Sequence, residues 1–211
     1  MSEYGRRAIH ASGVGMPAIY LLNIVTWTEL RYFMLVVTGI VFALEFLRLV
    51  VGLNHWVYDA VTRPYEQTTV AGYALYMLSM TAVAVLFGPA VTIPAMLMLI
   101  IGDPVSGMLG ENAEDEHKRP AVVAATFGLC FLLAVPFTVA GVDATANSGL
   151  APGVVAAVVG AACGAVADGI KPIVRGVAVD DNLTIPPAAA VGIAVTFWLF
   201  GVDTGFDPLW L

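Results

Sequence analysis

Five acidic residues lie in or beside the most apolar parts of this chain, and their types suit metal and phosphate chemistry. Asp103 stands in Gly102-Asp103-Pro104-Val105-Ser106-Gly107-Met108-Leu109-Gly110, Asp168 in Asp168-Gly169-Ile170-Lys171-Pro172, and Asp180-Asp181-Asn182 opens Asp180–Pro186. Glu45 precedes Arg48 by three residues. Carboxylate and amide oxygens are the hard ligands that Mg²⁺ prefers, so Asp103, Asp180, Asp181 and Asn182 are candidate metal ligands. A carboxylate inside a bilayer costs ~3 kcal/mol or more, which makes Asp103 a candidate for function and not decoration. Asp before Pro reads as N-cap then N1. That predicts a new helix starting inside the membrane, with free backbone N–H groups open to phosphate. Asp168 closes an apolar stretch, where its charge opposes the helix dipole. Arg6 and His10 share a helical face at i, i+4, and Glu45 and Arg48 are spaced to pair at i, i+3. His117-Lys118-Arg119 follows the Asp103 segment and could clamp a triphosphate, although Glu111, Glu114, Asp115 and Glu116 precede it. Arg63-Pro64-Tyr65-Glu66 reads as loop surface charge.

The elements that must carry these residues are membrane helices. The chain has 211 residues, 59% hydrophobic and only 12% charged, with mean hydropathy +0.87; soluble domains carry roughly 25% charged residues. Seven apolar stretches follow one another: Ala8–Val25, Tyr32–Leu53, Val70–Phe87, Ala90–Leu109, Ala121–Val142, Leu150–Ile170 and Leu183–Phe200. Each is too long and too uniformly apolar for a barrel strand. The expected fold is therefore an all-α, polytopic helical membrane protein of about seven transmembrane helices, one integral membrane domain over residues 1–211. A cleaved signal peptide is not expected, since His10 interrupts the first stretch and further spans follow. Lys and Arg orient the bundle. Arg6, Arg7, Arg63, Lys118, Arg119, Lys171 and Arg175 fall on alternate loops and only Arg31 opposite, which places the N-terminus and these loops in the cytosol. Helix rise then sets Asp103 ~20 Å from the outer surface of a ~30 Å core, Glu45 at a similar depth and Asp168 ~27 Å down, all in the cytosolic third. The net charge of −7 argues against a nucleic-acid partner, and two Lys against seven Arg in an acidic chain is a halophilic balance. Cys130 and Cys163, both in apolar stretches, read as small buried hydrophobes. The tail Val202–Leu211 is expected at the outer interface.

Taken together, these segments resemble the polyprenol kinase family: dolichol kinase, phytol kinase and the CTP-dependent diacylglycerol kinase of fungi; the resemblance implies an archaeal dolichol kinase-like protein. Arg6-Arg7-Ala8-Ile9-His10 resembles the family's amino-terminal Arg-Lys-x-x-His, and Glu45–Arg48 its Glu-x-x-Arg. Arg63-Pro64-Tyr65-Glu66 with Val70–Tyr73 resembles its loop and third-span entry. Gly102–Gly110 resembles Asp-x-x-Ala-x-x-x-Gly, with Ser106 at the Ala position, and Asp180–Pro186 the Asp-Asn-Leu-Thr-Ile-Pro signature. The family's Lys-Lys-Thr-x-Glu-Gly continuation is reduced here to Lys118-Arg119-Pro120, with Glu114 at the second Gly position. The resemblance implies a CTP-dependent kinase of a long-chain isoprenoid alcohol, integral to the cell membrane and acting at its cytosolic face. It implies Mg²⁺ and CTP as cofactor and co-substrate, the isoprenoid alcohol and membrane lipids as partners, Asp103, Asp168, Glu45 and His10 as catalytic candidates, and Gly102, Ser106, Gly110, Lys118, Arg119, Arg6, Arg7 and Arg175 as nucleotide contacts. Two rivals use the same residues. A CTP-dependent phospholipid cytidylyltransferase would share face, nucleotide and metal. A cation or proton transporter would need a polar path outward, and the outer halves of the stretches carry no ionisable residue along such a path.

Overall fold

The computed structural model describes residues 10–53, 55, 58, 62–110, 117–143, 150–170, 173–174, 177–202 and 205–210. Seven helices lie among them: α1 (Gly15–Leu21), α2 (Trp27–Val51), α3 (Gly72–Leu86), α4 (Pro89–Leu109), α5 (Pro120–Asp143), α6 (Ala151–Gly169) and α7 (Asp181–Leu199). A 3-10 turn, Pro64–Thr68, precedes α3, and the short antiparallel pair β1 (Ile173–Val174) and β2 (Val177–Ala178) links α6 to α7. The fold is all-α, and α2, α4, α5, α6 and α7 are long and apolar enough to cross a membrane, making this an integral membrane protein.

Two of the seven expected spans fall short. Helix α1 has seven residues, about 10 Å of rise against a core of about 30 Å. It follows a turn at Gly13-Val14 and stops where Asn23 takes a left-handed φ of 56°. Helix α3 has 15 residues, about 22 Å. It is nonetheless packed inside the bundle, with Tyr76, Ser79 and Thr81 buried.

Helix α4 is the axis of the bundle. Val91, Ile93 and Ala95–Ile100 are all buried, and α3, α5 and α7 pack against it. Helix α6 lies between α5 and α7, and its small residues set the spacing. A Cβ on Gly153 would come within 2.7 Å of Val139 Cα and 2.8 Å of Thr138 O, so α5 and α6 meet backbone to backbone. Helix α2 shows the opposite character. Thr26 and Glu29 close a capping box at its start, and Tyr32, Phe33, Val36 and Ile40 are exposed as a lipid-facing stripe.

The end of the bundle that holds the α3–α4 turn is clamped by the C-terminal segment. Asp207 N–H donates to Leu86 O and Leu209 N–H to Val85 O. Buried Arg31, expected as the one cation on that side, is part of this clamp. It donates to Asp207 Oδ2 at 2.6 Å and to Phe87 O at 3.2 Å, with its guanidinium over the Trp27 ring. Trp210 is exposed.

Candidate metal centre

The chemistry gathers at the other end, where α4 and α6 finish and α7 begins. Helix α4 does not break at Asp103. Its register slips instead through a π turn, Met98–Gly102, and Asp103 keeps helical angles (φ −62°, ψ −49°), with its N–H donating to Met98 O. The expected intramembrane helix start with free N–H groups is therefore corrected: the backbone donor is already used. The reason is local. Asp103 N–H turns to Met98 O rather than Leu99 O, and residue 104, as Pro, has no N–H to offer next. Leu99 O is left to His10, whose Nε2 donates to it at 3.0 Å. A carbonyl only accepts, so Nε2 carries a proton. That nitrogen lies 3.8 Å from Asp103 Oδ2, and Tyr76 packs edge-on against the ring and donates to His10 O. His10 thus holds Leu99 O through Nε2. Gly102 faces Cys130 Sγ, which a Cβ would approach to 3.2 Å, and Gly110 ends α4 with its N–H on Ser106 O. Gly102 thus lies close against α5, and Gly110 terminates α4.

Asp168, at the end of α6, is 1% exposed. Lys118 Nζ donates to its Oδ1 at 2.6 Å and to Ser106 Oγ at 2.8 Å, and Ser106 Oγ–H donates to Asp168 Oδ2 at 2.5 Å. Lys118 N–H also donates to Gly169 O. The charge that opposed the α6 dipole is thus compensated by an ammonium brought from the segment before α5. Lys118, expected to meet phosphate, is here the partner of an acid. Its neighbour Arg119 is exposed, and its carbonyl accepts the N–H groups of Val122 and Val123 at the start of α5.

Asp180 caps α7, accepting from Asn182 N–H at 2.9 Å and from Asn182 Nδ2 at 2.7 Å. Asp181 and Asn182 are buried and not the solvated loop that two adjacent carboxylates suggest. Burial, then the negative charge of Asp181, pushes the Asp180 carboxyl up to about 6, against its bonds to Asn182 and the charge of Arg63. Asn182 Oδ1 is buried with no hydrogen-bond partner among the described residues. Glu66, expected as surface charge, is buried, accepting Arg63 N–H at 2.6 Å and Gly72 N–H at 3.0 Å. A Cβ on Gly72 would lie 3.1 Å from both Glu66 Oε1 and Asn182 Nδ2, close enough to press on both groups. The sequence held one signal for Glu66: its place three residues after Arg63, where a carboxylate can close a turn.

Glu45 pairs with Arg48 as its spacing predicts, at 2.8 and 2.7 Å. Its remaining capacity goes to Ala71 N–H and the Tyr73 hydroxyl. Arg48 also reaches the carbonyls of Glu66, Gln67 and Thr69. Glu45 is thereby a strut between α2 and the segment before α3, with its two oxygens accepting from four donors. Arg6, Arg7 and Arg175 lie outside the described residues.

What the fold brings together is Asp103 from α4, Asp168 from α6 and Asp181 from α7, each offering one oxygen within 4.8 Å of the others. Hard oxygen donors, burial and the orphaned Asn182 Oδ1 nearby in sequence all fit a small divalent cation such as Mg²⁺. No family model, no curated protein and no solved structure matches this chain.

Proposed function

We propose that this protein is a membrane-embedded phosphotransferase that moves the terminal phosphoryl group of CTP to the hydroxyl of a long-chain isoprenoid alcohol at the cytosolic face of the cell membrane. The observation that carries the reading is the meeting of three carboxylates from three helices, within 4.8 Å, inside otherwise apolar segments. Three carboxylates so close repel one another; the Lys118 ammonium offsets part of that charge, and phosphoryl transfer is the chemistry that asks for a divalent cation there as well. Asp103, Asp168 and Asp181, with the Asn182 side-chain carbonyl oxygen, would hold Mg²⁺, which when bound supplies charge neutralisation for the triphosphate. Asp180 caps the start of α7 and so sets the direction of Asn182. Ser106 orients Asp168, the candidate acceptor for the proton of the alcohol. Lys118, together with Arg119 and the basic residues Arg6, Arg7 and Arg175, supplies positive charge for phosphate oxygens. The lipid-facing helices leave the alcohol's tail in the bilayer while its hydroxyl reaches this end of the bundle.

Purified protein incubated with CTP, Mg²⁺ and a polyprenol is expected to yield CDP and polyprenyl phosphate in equal amounts. Absence of both ends the kinase reading. Pyrophosphate in place of CDP assigns the same site to cytidylyl transfer, and the parallel reaction with ATP fixes the nucleotide. Asp103→Asn is expected to remove turnover while leaving the protein folded; wild-type rates would take Asp103 out of the site.

A further inference from the structure

We infer that Lys118 is a tethered stand-in cation, seated on Asp168 until a divalent ion arrives, and then transferred to the phosphates of the nucleotide that comes with it. The inference rests on the reading of the acidic centre as a metal and nucleotide site. It adds to that reading a binding order and a role for one residue in both states.

Three observations carry it. Both oxygens of Asp168 are engaged, Oδ1 by the Lys118 ammonium at 2.6 Å and Oδ2 by Ser106 at 2.5 Å. Asp168 is also one of the three acids whose oxygens lie within 4.8 Å, so the same carboxylate serves the ammonium and the candidate metal. The Lys118 side chain is 10% exposed, while its backbone N–H is fixed to Gly169 O at 3.1 Å. A divalent ion on Asp168 at about 2.1 Å and an ammonium on the same carboxylate repel one another strongly in a site of low dielectric. One must leave. The lysine can, because its backbone anchor keeps it local while its four-carbon stem swings the charge a few ångströms. Phosphate oxygens on the incoming nucleotide are the natural place for that charge. Metal and nucleotide then favour each other's binding: the metal frees the ammonium for phosphate, and the phosphate holds it off the metal ligand.

The test is Mn²⁺ binding to the full-length protein in detergent, followed by electron paramagnetic resonance of free Mn²⁺, with and without CTP. Lys118→Met is expected to bind Mn²⁺ about tenfold or more tightly than wild type when nucleotide is absent, since its competitor is gone. Adding CTP is expected to tighten Mn²⁺ binding to the wild type by more than it does in the variant. Lys118→Gln keeps a donor for Asp168 and Ser106 without the charge, and serves if the Met variant fails to fold. Equal or weaker Mn²⁺ binding in the variants means that Lys118 supports the site without competing in it, and overturns the inference. Should wild type nevertheless release CDP, the kinase reading survives alone. Tighter binding in the variants with no CDP from wild type leaves the stand-in cation and ends the kinase. Should Mn²⁺ bind neither wild type nor variants, the metal centre falls and both readings go with it.

Discussion

Replacing Arg48 by Met tests whether the strut at the end of α2 holds the segment that delivers Glu66. The side chains of Arg48 and Glu45 are 7% and 3% exposed and make two direct bonds, at 2.7 and 2.8 Å. Removing one partner of such a pair strands the other, at a cost of about 3–5 kcal/mol. Glu45 keeps Ala71 N–H and the Tyr73 hydroxyl, which brings the expected loss toward the lower end, about 3 kcal/mol. The carbonyls of Glu66 and Gln67 and that of Thr69 lose a donor too, but water reaches this edge and replaces much of it. Glu45→Leu alone is expected to cost as much, because it strands Arg48. The double variant removes both charges, so its loss is expected to fall short of the sum of the single losses by about 2 kcal/mol or more. Equilibrium unfolding of the purified protein in mixed micelles measures all four corners of this cycle. A loss below 1 kcal/mol for Arg48→Met, or simple additivity, would refute the strut.

Three further outcomes follow from other parts of the molecule. The Asp180 carboxyl, pushed up to about 6, keeps a proton in the folded chain that the unfolded chain has already released above its ordinary value of 3.8. Without metal, stability is therefore expected to fall as pH rises from about 4 to about 6. Mn²⁺ binding is expected to strengthen over the same interval, and a flat or opposite stability profile counts against the burial of Asp180. Gly153→Ala, where a Cβ meets backbone at 2.7 Å, is expected to destabilise by about 1–3 kcal/mol, whereas Gly128→Ala, with nothing within 4 Å, is expected to be neutral or mildly stabilising; thermal unfolding of the pair decides. Ser106→Ala removes the hydroxyl between Lys118 and Asp168 and is expected to lower turnover roughly tenfold or more with little change in Mn²⁺ affinity, read by CDP release beside metal titration.

Much of this protein is legible in the order of its residues. Apolar length and sparse charge place it in a membrane, because a bilayer leaves the backbone few alternatives to helices. The acids that matter stand out for the same reason: a carboxylate in an apolar stretch needs a justification that a surface carboxylate does not. The i, i+3 spacing of Glu45 and Arg48 gave their pairing, and Asp180 caps α7 as an Asp before an apolar run should. What the residue order alone left undecided is which charges are partners across helices and which positions are spent on holding the fold. Asp103 looked like a helix start because Asp-Pro usually is one; the helix instead runs on through a π turn, with His10 supplying Leu99 O the donor that Pro104 lacks. Glu66 read as surface, yet its side chain is buried, in a segment whose carbonyls Arg48 holds. Lys118 looked directed at phosphate, yet it sits on Asp168, 50 residues away. Such pairings depend on distances between helices, and those are set by side-chain volume at contacts like Gly153 against Thr138. Composition and local spacing decide that a segment is a helix suited to a membrane. Only the packed bundle decides which faces meet, because the energy of a buried charge depends on the atoms beside it and not on its neighbours in the chain.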